Sequence, residues 1–222
     1  MTVPSTIRSA QGRLLIWGAG GHGKVVADVA RAAGYAVLGF VDADPAKLGS
    51  IVEPGGAAVI MDEAGLFGEL GRAKRPFDAL AIAIGNNRAR LQARARVSGR
   101  TQLPVLVHPR AVVSPSAALG EATVVMPMAV VNPAAHVGTA VIVNTAAVIE
   151  HDCVVGNGAH LSPNSTLAGE VHVGALSWIG AGATVIQRRR IGQSSIVGAG
   201  TVVIRDVPDE VTVVGCPARI VR

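Results

Sequence analysis

Residues 141–185 read VIVNTAAVIEHDCVVGNGAHLSPNSTLAGEVHVGALSWIGAGATV, and one aliphatic residue recurs every six positions: Val143, Ile149, Val155, Leu161, Leu167, Val173, Ile179 and Val185. The same register runs back through Val137, Val131, Val125, Leu119 and Val113 to Val107, and forward through Ile191 and Val197 to Val203. All 17 slots are Val, Ile or Leu, although residues 107–203 hold only 29 such residues in 97 positions, so composition does not account for the run. Two residues before each slot from Val113 onward the chain carries a small or β-branched residue, with Arg189 the exception. Self-similarity at period six is the pattern of a parallel β-helix, in which each hexapeptide is one short strand and successive turns bury one another's apolar face.

The same ruler settles two oddities of composition. Half of the 222 residues are apolar, yet aromatics are only 3% while Gly reaches 27 and Pro 12, so the interior is filled by stacked aliphatics rather than rings. Residues 122–149 contain no Asp, Glu, Lys or Arg, which in a helix would suggest a membrane span; Pro127, Asn132, Pro133 and Asn144 interrupt any such helix, and no membrane insertion is expected. The repeat resembles the hexapeptide-repeat acyltransferases. That resemblance implies a left-handed β-helix with three hexapeptides per turn, so that residues 18 apart stack, in about five turns without an insertion loop.

The chain before the repeat has another texture. Leu14–Trp17 reads as a buried strand, followed by GAGGHG at 18–23, a helix through Ala33, a stop at Gly34 and a second strand from Ala36 to Asp42. Ala79–Ile84 reads as a further parallel strand, after which Gly85, Asn86 and Asn87 cap an arginine-rich helix. The expected organisation is a small Rossmann-like α/β domain over 12–103 followed by a left-handed parallel β-helix over 104–222.

Charge follows the same division. The net charge is +5, with 13 basic and 8 acidic residues in 1–106 and 7 of each in 107–222. Seventeen of the 20 basic residues are Arg, clustered at Arg88, Arg90, Arg94, Arg96 and Arg100. With one Tyr and little else to stack on bases, this cluster reads as a solvated helix face, and no nucleic-acid partner is expected. Cys153 and Cys216 are too few for a disulfide framework or a zinc ribbon, which suits a reducing cytoplasm. The first eleven residues lack the apolar run of a signal peptide.

Two constellations carry chemistry. Gly18-x-Gly20-x-x-Gly23 follows a strand and precedes Asp42 by nineteen residues, which satisfies the dinucleotide fingerprint. About ninety residues supply only one mononucleotide-sized half, so the expectation is no NAD, and a nucleotide diphosphate joined to another group at the helix N-terminus. In the repeat, His151 lies two residues past slot Ile149 and so faces outward at a corner, with Asp152 beside it to fix its tautomer and raise its basicity. Gly169 stacks 18 residues on, where a backbone N–H free of a side chain suits a developing oxyanion. His160 precedes slot Leu161, with Trp178 one turn above. His136 and His172 sit two turns apart, roughly 9–10 Å at strand spacing, too far to share a zinc ion within one chain, and no metal is expected. Cys153 falls on an inward small position and reads as core rather than nucleophile.

A glycine-rich opening LLIWGAGGHGKVVADV, then GFVDAD and AIGNN, joined to NTAAVIEHDC, GAHLSPNSTLAG and a tail GCPAR, resembles the sugar O- and N-acetyltransferases of the sialic acid O-acetyltransferase and bacillosamine/perosamine N-acetyltransferase type across residues 13–220. The resemblance implies that His151 is the general base, Asp152 its acidic partner and Gly169 the amide that holds the acetyl carbonyl. It places Asn144 and His160 near acetyl-coenzyme A, alongside Trp178. It assigns the nucleotide-linked sugar to Gly20, His22, Asp42 and Asp44; the glycine-rich turn and the cap after Ile84 add Gly18, Gly21, Gly23, Gly85 and Asn86 to the expected sugar-nucleotide site. Gln187–Arg190 departs from the small turn usual in the family and is expected to bulge outward.

The activity so implied is direct transfer of acetyl from acetyl-CoA to the amine of a nucleotide-linked 4-amino sugar for surface glycan synthesis, by a cytoplasmic homotrimer that binds the co-substrate between neighbouring prisms. The competing readings are O-acetylation of a sugar such as a sialic acid, and a non-catalytic β-helix scaffold.

Overall fold

The computed structural model describes residues 11–53 and 56–221; the first ten residues, read above for the apolar run of a signal peptide, lie outside them. A four-stranded parallel sheet forms first. It comprises β1 (Arg13–Trp17), β2 (Ala36–Asp42), β3 (Val59–Asp62) and β4 (Ala79–Ile82), in the order β3-β2-β1-β4. Between them run α1 (Gly21–Ala32) and α2 (Glu63–Leu70), and α3 (Asn87–Val97) follows β4. β1 and β4 are uninterrupted apolar runs buried on both faces, the pattern of a parallel sheet covered by helices. Chain direction across the sheet reverses between β1 and β4, so the turns after these two strands open a crevice at their carboxyl ends, the usual ligand position in such sheets.

Seventeen two-residue strands then follow at intervals of six, from Leu106–Val107 to Val202–Val203. They form three parallel sheets that close a left-handed triangular prism. The first face carries His136, Val154, His172 and Arg190 in register; the second carries Val124, Ile142, His160, Trp178 and Ile196; the third carries Val130, Val148, Thr166, Thr184 and Val202. Paired residues are 18 apart throughout, as the repeat implied. From Val125 onward every slot residue is buried, together with the small residues Ala129, Ala135, Ala147, Cys153 and Ala159 of the alternate position. A final hairpin, Thr212–Val214 with Arg219–Ile220, extends the second face.

The corners hold a feature that composition does not announce. The residue three past each slot from Leu119 to Val197 takes a left-handed backbone, including Ala122, Met128, Asp152, Glu170, Leu176 and Arg188, with φ between 58° and 63°. This conformation costs a non-glycine residue about 1–2 kcal/mol. It recurs because it aims the N–H at the coil below: Asp152 donates to Pro133 O, Glu170 to His151 O and Arg188 to Gly169 O. Gln187–Arg190 obeys the same rule, with flanking strands Thr184–Val185 and Arg190–Ile191 in register, so the expected outward bulge is absent. Arg188 instead pairs with Glu170 at 3.0 Å, and Arg189 approaches Asp206 at 3.6 Å.

The α/β part rests on the lower half of the second face. Val26, Ala27, Val29 and Ala30 of α1 share a core with Leu106, Val124, Met126 and Ile142, and Ala93 and Val97 of α3 pack with Ala122 and Ala140. Of the arginine cluster, Arg88, Arg96 and Arg100 are exposed as the sequence suggested, whereas Arg90 and Arg94 turn inward. Arg90 is 1% exposed, Arg94 Nε donates to Glu121 at 2.7 Å, and Arg96 lies 4.4 Å from the Phe67 ring centroid while pairing with Glu63. A guanidinium on a four-bond stem can lie flat on rings or reach buried carbonyls, so charge periodicity does not reveal which Arg is solvated.

Candidate active site

His151 sits where the third face turns into the first. Asp152, held left-handed at φ 58°, turns its carboxylate back so that Oδ2 accepts from His151 Nδ1 at 2.7 Å. That bond leaves the lone pair on Nε2, the tautomer a general base needs. It also raises the His151 pKa above the ordinary histidine value, outweighing the opposing effect of burial, with the charges of Asp152, Glu150 and Glu170 adding to the rise. The ring lies over Gly169. A Cβ at that position would stand 2.6 Å from Nε2 and 2.7 Å from Cε1, so only glycine admits the imidazole. The neighbours of Gly169 are engaged, Ala168 N–H with Val185 O and Glu170 N–H with His151 O, whereas Gly169 N–H has no acceptor among the described residues. Cys153, next in sequence, is fully buried, donates Sγ–H to Ala168 O, and has its pKa raised by burial, as befits core.

A second set lies on the second face. The rings of His160 and Trp178 stack 5.4 Å apart at 13°, and Trp178 Nε1 donates to Ser162 Oγ. Asn144 Oδ1 accepts from Thr145 N–H, which orients its amide so that Nδ2 donates to His160 Nε2 at 3.1 Å. His160 Nδ1 therefore carries the hydrogen, and that buried atom has no partner. Burial, then the Arg90 and His22 charges, push the His160 pKa down to about 3. Above it, His160, Pro163, Trp178, Ile196 and Ala199 line an open groove of about 440 Å³ with largely apolar walls. A more polar depression of about 620 Å³ between His172, Arg190 and Asp206 on the first face shares no residue with either set.

The third set is the turn after β1. Gly18, at φ 122°, and Gly23 are there for packing: a Cβ on Gly18 would meet Ala83 O at 2.5 Å, and one on Gly23 would meet Gly18 O at 2.1 Å. Gly20, Gly21 and Gly85 have nothing within 4 Å of an added Cβ, so the backbone at the start of α1 is open to a ligand across the β1/β4 crevice. Asp42 braces the turn, its carboxylate accepting from Ala19 N–H, Asp44 N–H and Lys47 Nζ. Those hydrogen bonds oppose the effect of burial and keep its pKa below the ordinary carboxylate value. Asp44 and Asn86 cap the segments they precede through Ala46 and Ala89. His22 faces inward, where burial and then the Arg90 charge push its pKa down to about 4; its buried Nε2 has no partner.

The fold thus gathers His22, Asn144, His160 and Trp178 about the junction of the two parts, beside Gly20, Gly21 and Gly85. It does not bring His151, Asp152 and Gly169 to them. The corner holding those three residues is opposite the second face, across on the order of 15 Å of prism core. Arg90, which joins the two parts, is not singled out by the sequence, because it stands among Arg88, Arg94 and Arg96 of the same helix.

A β-helix of hexapeptides with a His–Asp pair at a corner and an α/β unit on one face defines a hexapeptide-repeat acyltransferase. Residues 13–97 match the PglD N-terminal domain family. The structure of PerB from Caulobacter crescentus in complex with CoA and GDP-perosamine superposes with a TM-score of 0.84 at 42% identity, over 95% of this chain and 98% of that one. The acetyltransferase domain of PglB from Neisseria gonorrhoeae FA1090 gives 0.84 at 41% identity over 94% and 99%, and it has also been solved in complex with acetyl coenzyme A. Among curated proteins, the UDP-N-acetylbacillosamine N-acetyltransferase of Bacillus subtilis (strain 168) is 42% identical over 112 residues, a match spanning 50% of each chain. The chain belongs to the perosamine and bacillosamine N-acetyltransferase family of hexapeptide-repeat enzymes.

Proposed function

We propose that the protein transfers the acetyl group of acetyl-CoA to the amine of a nucleotide-linked 4-amino sugar, in glycan synthesis in the cytoplasm. Residues 12–103 receive the sugar nucleotide and 104–222 perform the transfer. The observation that carries this reading is the His151 imidazole, tied through Nδ1 to Asp152 and lying over the one residue without a side chain, Gly169.

The sugar nitrogen attacks the thioester carbonyl carbon and its proton passes to His151 Nε2. Gly169 N–H donates to the oxyanion; the C–S bond then breaks, and the departing thiolate takes up a proton. A positioned base contributes roughly 10²–10⁴ in rate and one oxyanion donor roughly 10²–10³. The diphosphate lies at the start of α1 against Gly20 and Gly21, with Gly18 and Gly23 shaping the turn, Asp42 and Asp44 bracing it, and His22, Gly85 and Asn86 bordering the crevice. Acetyl-CoA follows the groove by Asn144, His160 and Trp178, whose apolar walls suit a pantetheine arm.

Because His151 and that groove lie on opposite sides of the prism, a complete site takes the corner of one copy and the second face of another. Cyclic closure of that heterologous contact, with three copies, gives the homotrimer. The test is turnover of the full chain with acetyl-CoA and UDP-, GDP- and dTDP-linked 4-amino sugars beside their 4-hydroxy counterparts. Acetylation of the amine alone is expected. Acetylation of the hydroxyl would establish the O-acetyltransferase instead, and absence of CoA binding would leave only the scaffold.

A further inference from the structure

Helix α3 buries Arg90 at the junction of the α/β part and the β-helix, at 1% exposure. Every N–H of its guanidinium is used. Nε donates to Ala140 O at 2.8 Å, Nη1 to Ile84 O and Gly85 O at 3.0 Å each, and Nη2 to Gly158 O at 2.8 Å, Ala159 O at 3.1 Å and Asn87 Oδ1 at 2.9 Å. Ala140, Gly158 and Ala159 belong to the β-helix, while Ile84 and Gly85 form the turn after β4. A further bond from Asn87 Nδ2 to Leu176 O closes the same seam.

All six acceptors are neutral oxygens, so the buried cation has no counter-ion. Buried charges are normally paired, and an apolar residue of similar volume would fill the space without the cost of desolvation. If Arg90 served only to join the two parts, a carboxylate partner would do so at lower cost. The charge falls instead on two imidazoles. His22 reaches the junction from α1 and His160 from the second face, each with a buried ring nitrogen that has no protein partner. Arg90 acts on both rings and His22 on His160; the neutral Asn144 and Trp178 complete the surroundings of His160. No carboxylate acts on either ring among the described residues.

We propose that Arg90 is a positioning residue of the acceptor site, fastening the turn after β4 to the β-helix through neutral oxygens and setting an unpaired positive charge beside the buried rings of His22 and His160. An amine arriving between them meets neutral imidazoles, and the unneutralised guanidinium disfavours its ammonium form, leaving the free amine as nucleophile. The identity of the arriving group rests on the function proposed above; the charge state of the two rings does not.

The experiment is an imidazole titration of the full chain by NMR, with His22 and His160 assigned through single His→Asn variants. It is paired with melting curves and with the pH profile of kcat/KM. In the wild type both rings stay neutral down to about pH 5, well below the ordinary histidine value. Arg90→Lys keeps the charge but loses the fork, so the melting temperature falls and both rings stay neutral. Arg90→Gln removes the charge, raising both midpoints by about one pH unit or more and adding an ionisation on the acid side of the kcat/KM profile. A wild-type ring that titrates near pH 6.5, or Lys and Gln variants that move the midpoints equally, overturns the proposal. If Arg90→Gln does not fold, Arg90→Met, which fills the same space without charge, takes its place: midpoints above the wild-type values sustain the proposal, and midpoints left at the wild-type values overturn it. Midpoints that shift as expected in a chain showing no acetyl transfer would remove the proposed function and leave the role of Arg90 standing.

Discussion

His151 and Gly169 act as one unit, because the imidazole occupies the space that a side chain at 169 would need. His151→Asn is expected to lower kcat by roughly two to four decades with both ligands still bound, since no positioned group takes the amine proton. The ring is exposed, so its loss opens no cavity and the melting curve stays in place. Gly169→Ala tests the contact from the other side. The added methyl displaces the ring from over the reacting carbon, and misplacement of this kind costs on the order of 100-fold in kcat while isothermal titration still finds acetyl-CoA bound. Asp152 holds the His151 pKa above the ordinary value, so the acid limb of kcat/KM lies above pH 6.5 and activity is lost as pH falls through it. Asp152→Asn moves that limb downward.

At the scale of elements, the turn between β1 and α1 separates glycines that shape the fold from glycines that face a ligand. Gly23→Ala drives a methyl into Gly18 O and is expected to destabilise the protein by about 2 kcal/mol or more in urea unfolding. Gly21→Ala meets nothing, so stability holds or rises by some tenths of a kcal/mol while sugar-nucleotide affinity falls. The GxGxxG spelling does not draw this distinction; it emerges only once Ala83 is seen behind Gly18. The six-residue register was legible because each slot buries its own aliphatic side chain, and the pairing of His151 with Gly169 followed once 18 residues were taken as one coil. The left-handed corners were not legible, since Leu176 and Met128 hold them through N–H bonds to the coil below rather than by side-chain preference. Nor was Arg90, five of whose six acceptors are backbone carbonyls from 5 to 69 residues away in sequence.

For the whole molecule, two consequences follow from where the groups lie. His22 and His160 are held below their unfolded value, so the unfolded chain binds more protons than the native one between about pH 6.5 and the folded values near 4 and 3. Stability conferred by their neutrality is complete above pH 6.5 and is lost as pH falls through that window, each ring contributing at most about 1.4 kcal/mol per pH unit. The exposed His151 has the opposite sign, its contribution being present below pH 6.5 and lost as pH rises through its raised value. Urea midpoints measured from pH 7 down to 4 should therefore fall, and His160→Asn should flatten the slope. The second consequence concerns assembly. The corner of His151 lies opposite the face of His160 and Trp178, so in the trimer proposed above each active centre takes its base from one copy and its groove from another. His151→Asn and Trp178→Ala chains are then each impaired alone, but when they are unfolded together and refolded as random mixed trimers, some sites draw an intact His151 from one chain and an intact Trp178 from its neighbour. With equal amounts, half the corners and half the faces are intact, so about a quarter of the sites recover wild-type turnover. Mixing the two folded trimers without exchange gives no recovery. If random mixed trimers show only the sum of the two variants, the site lies within one chain and the trimeric assignment fails with it.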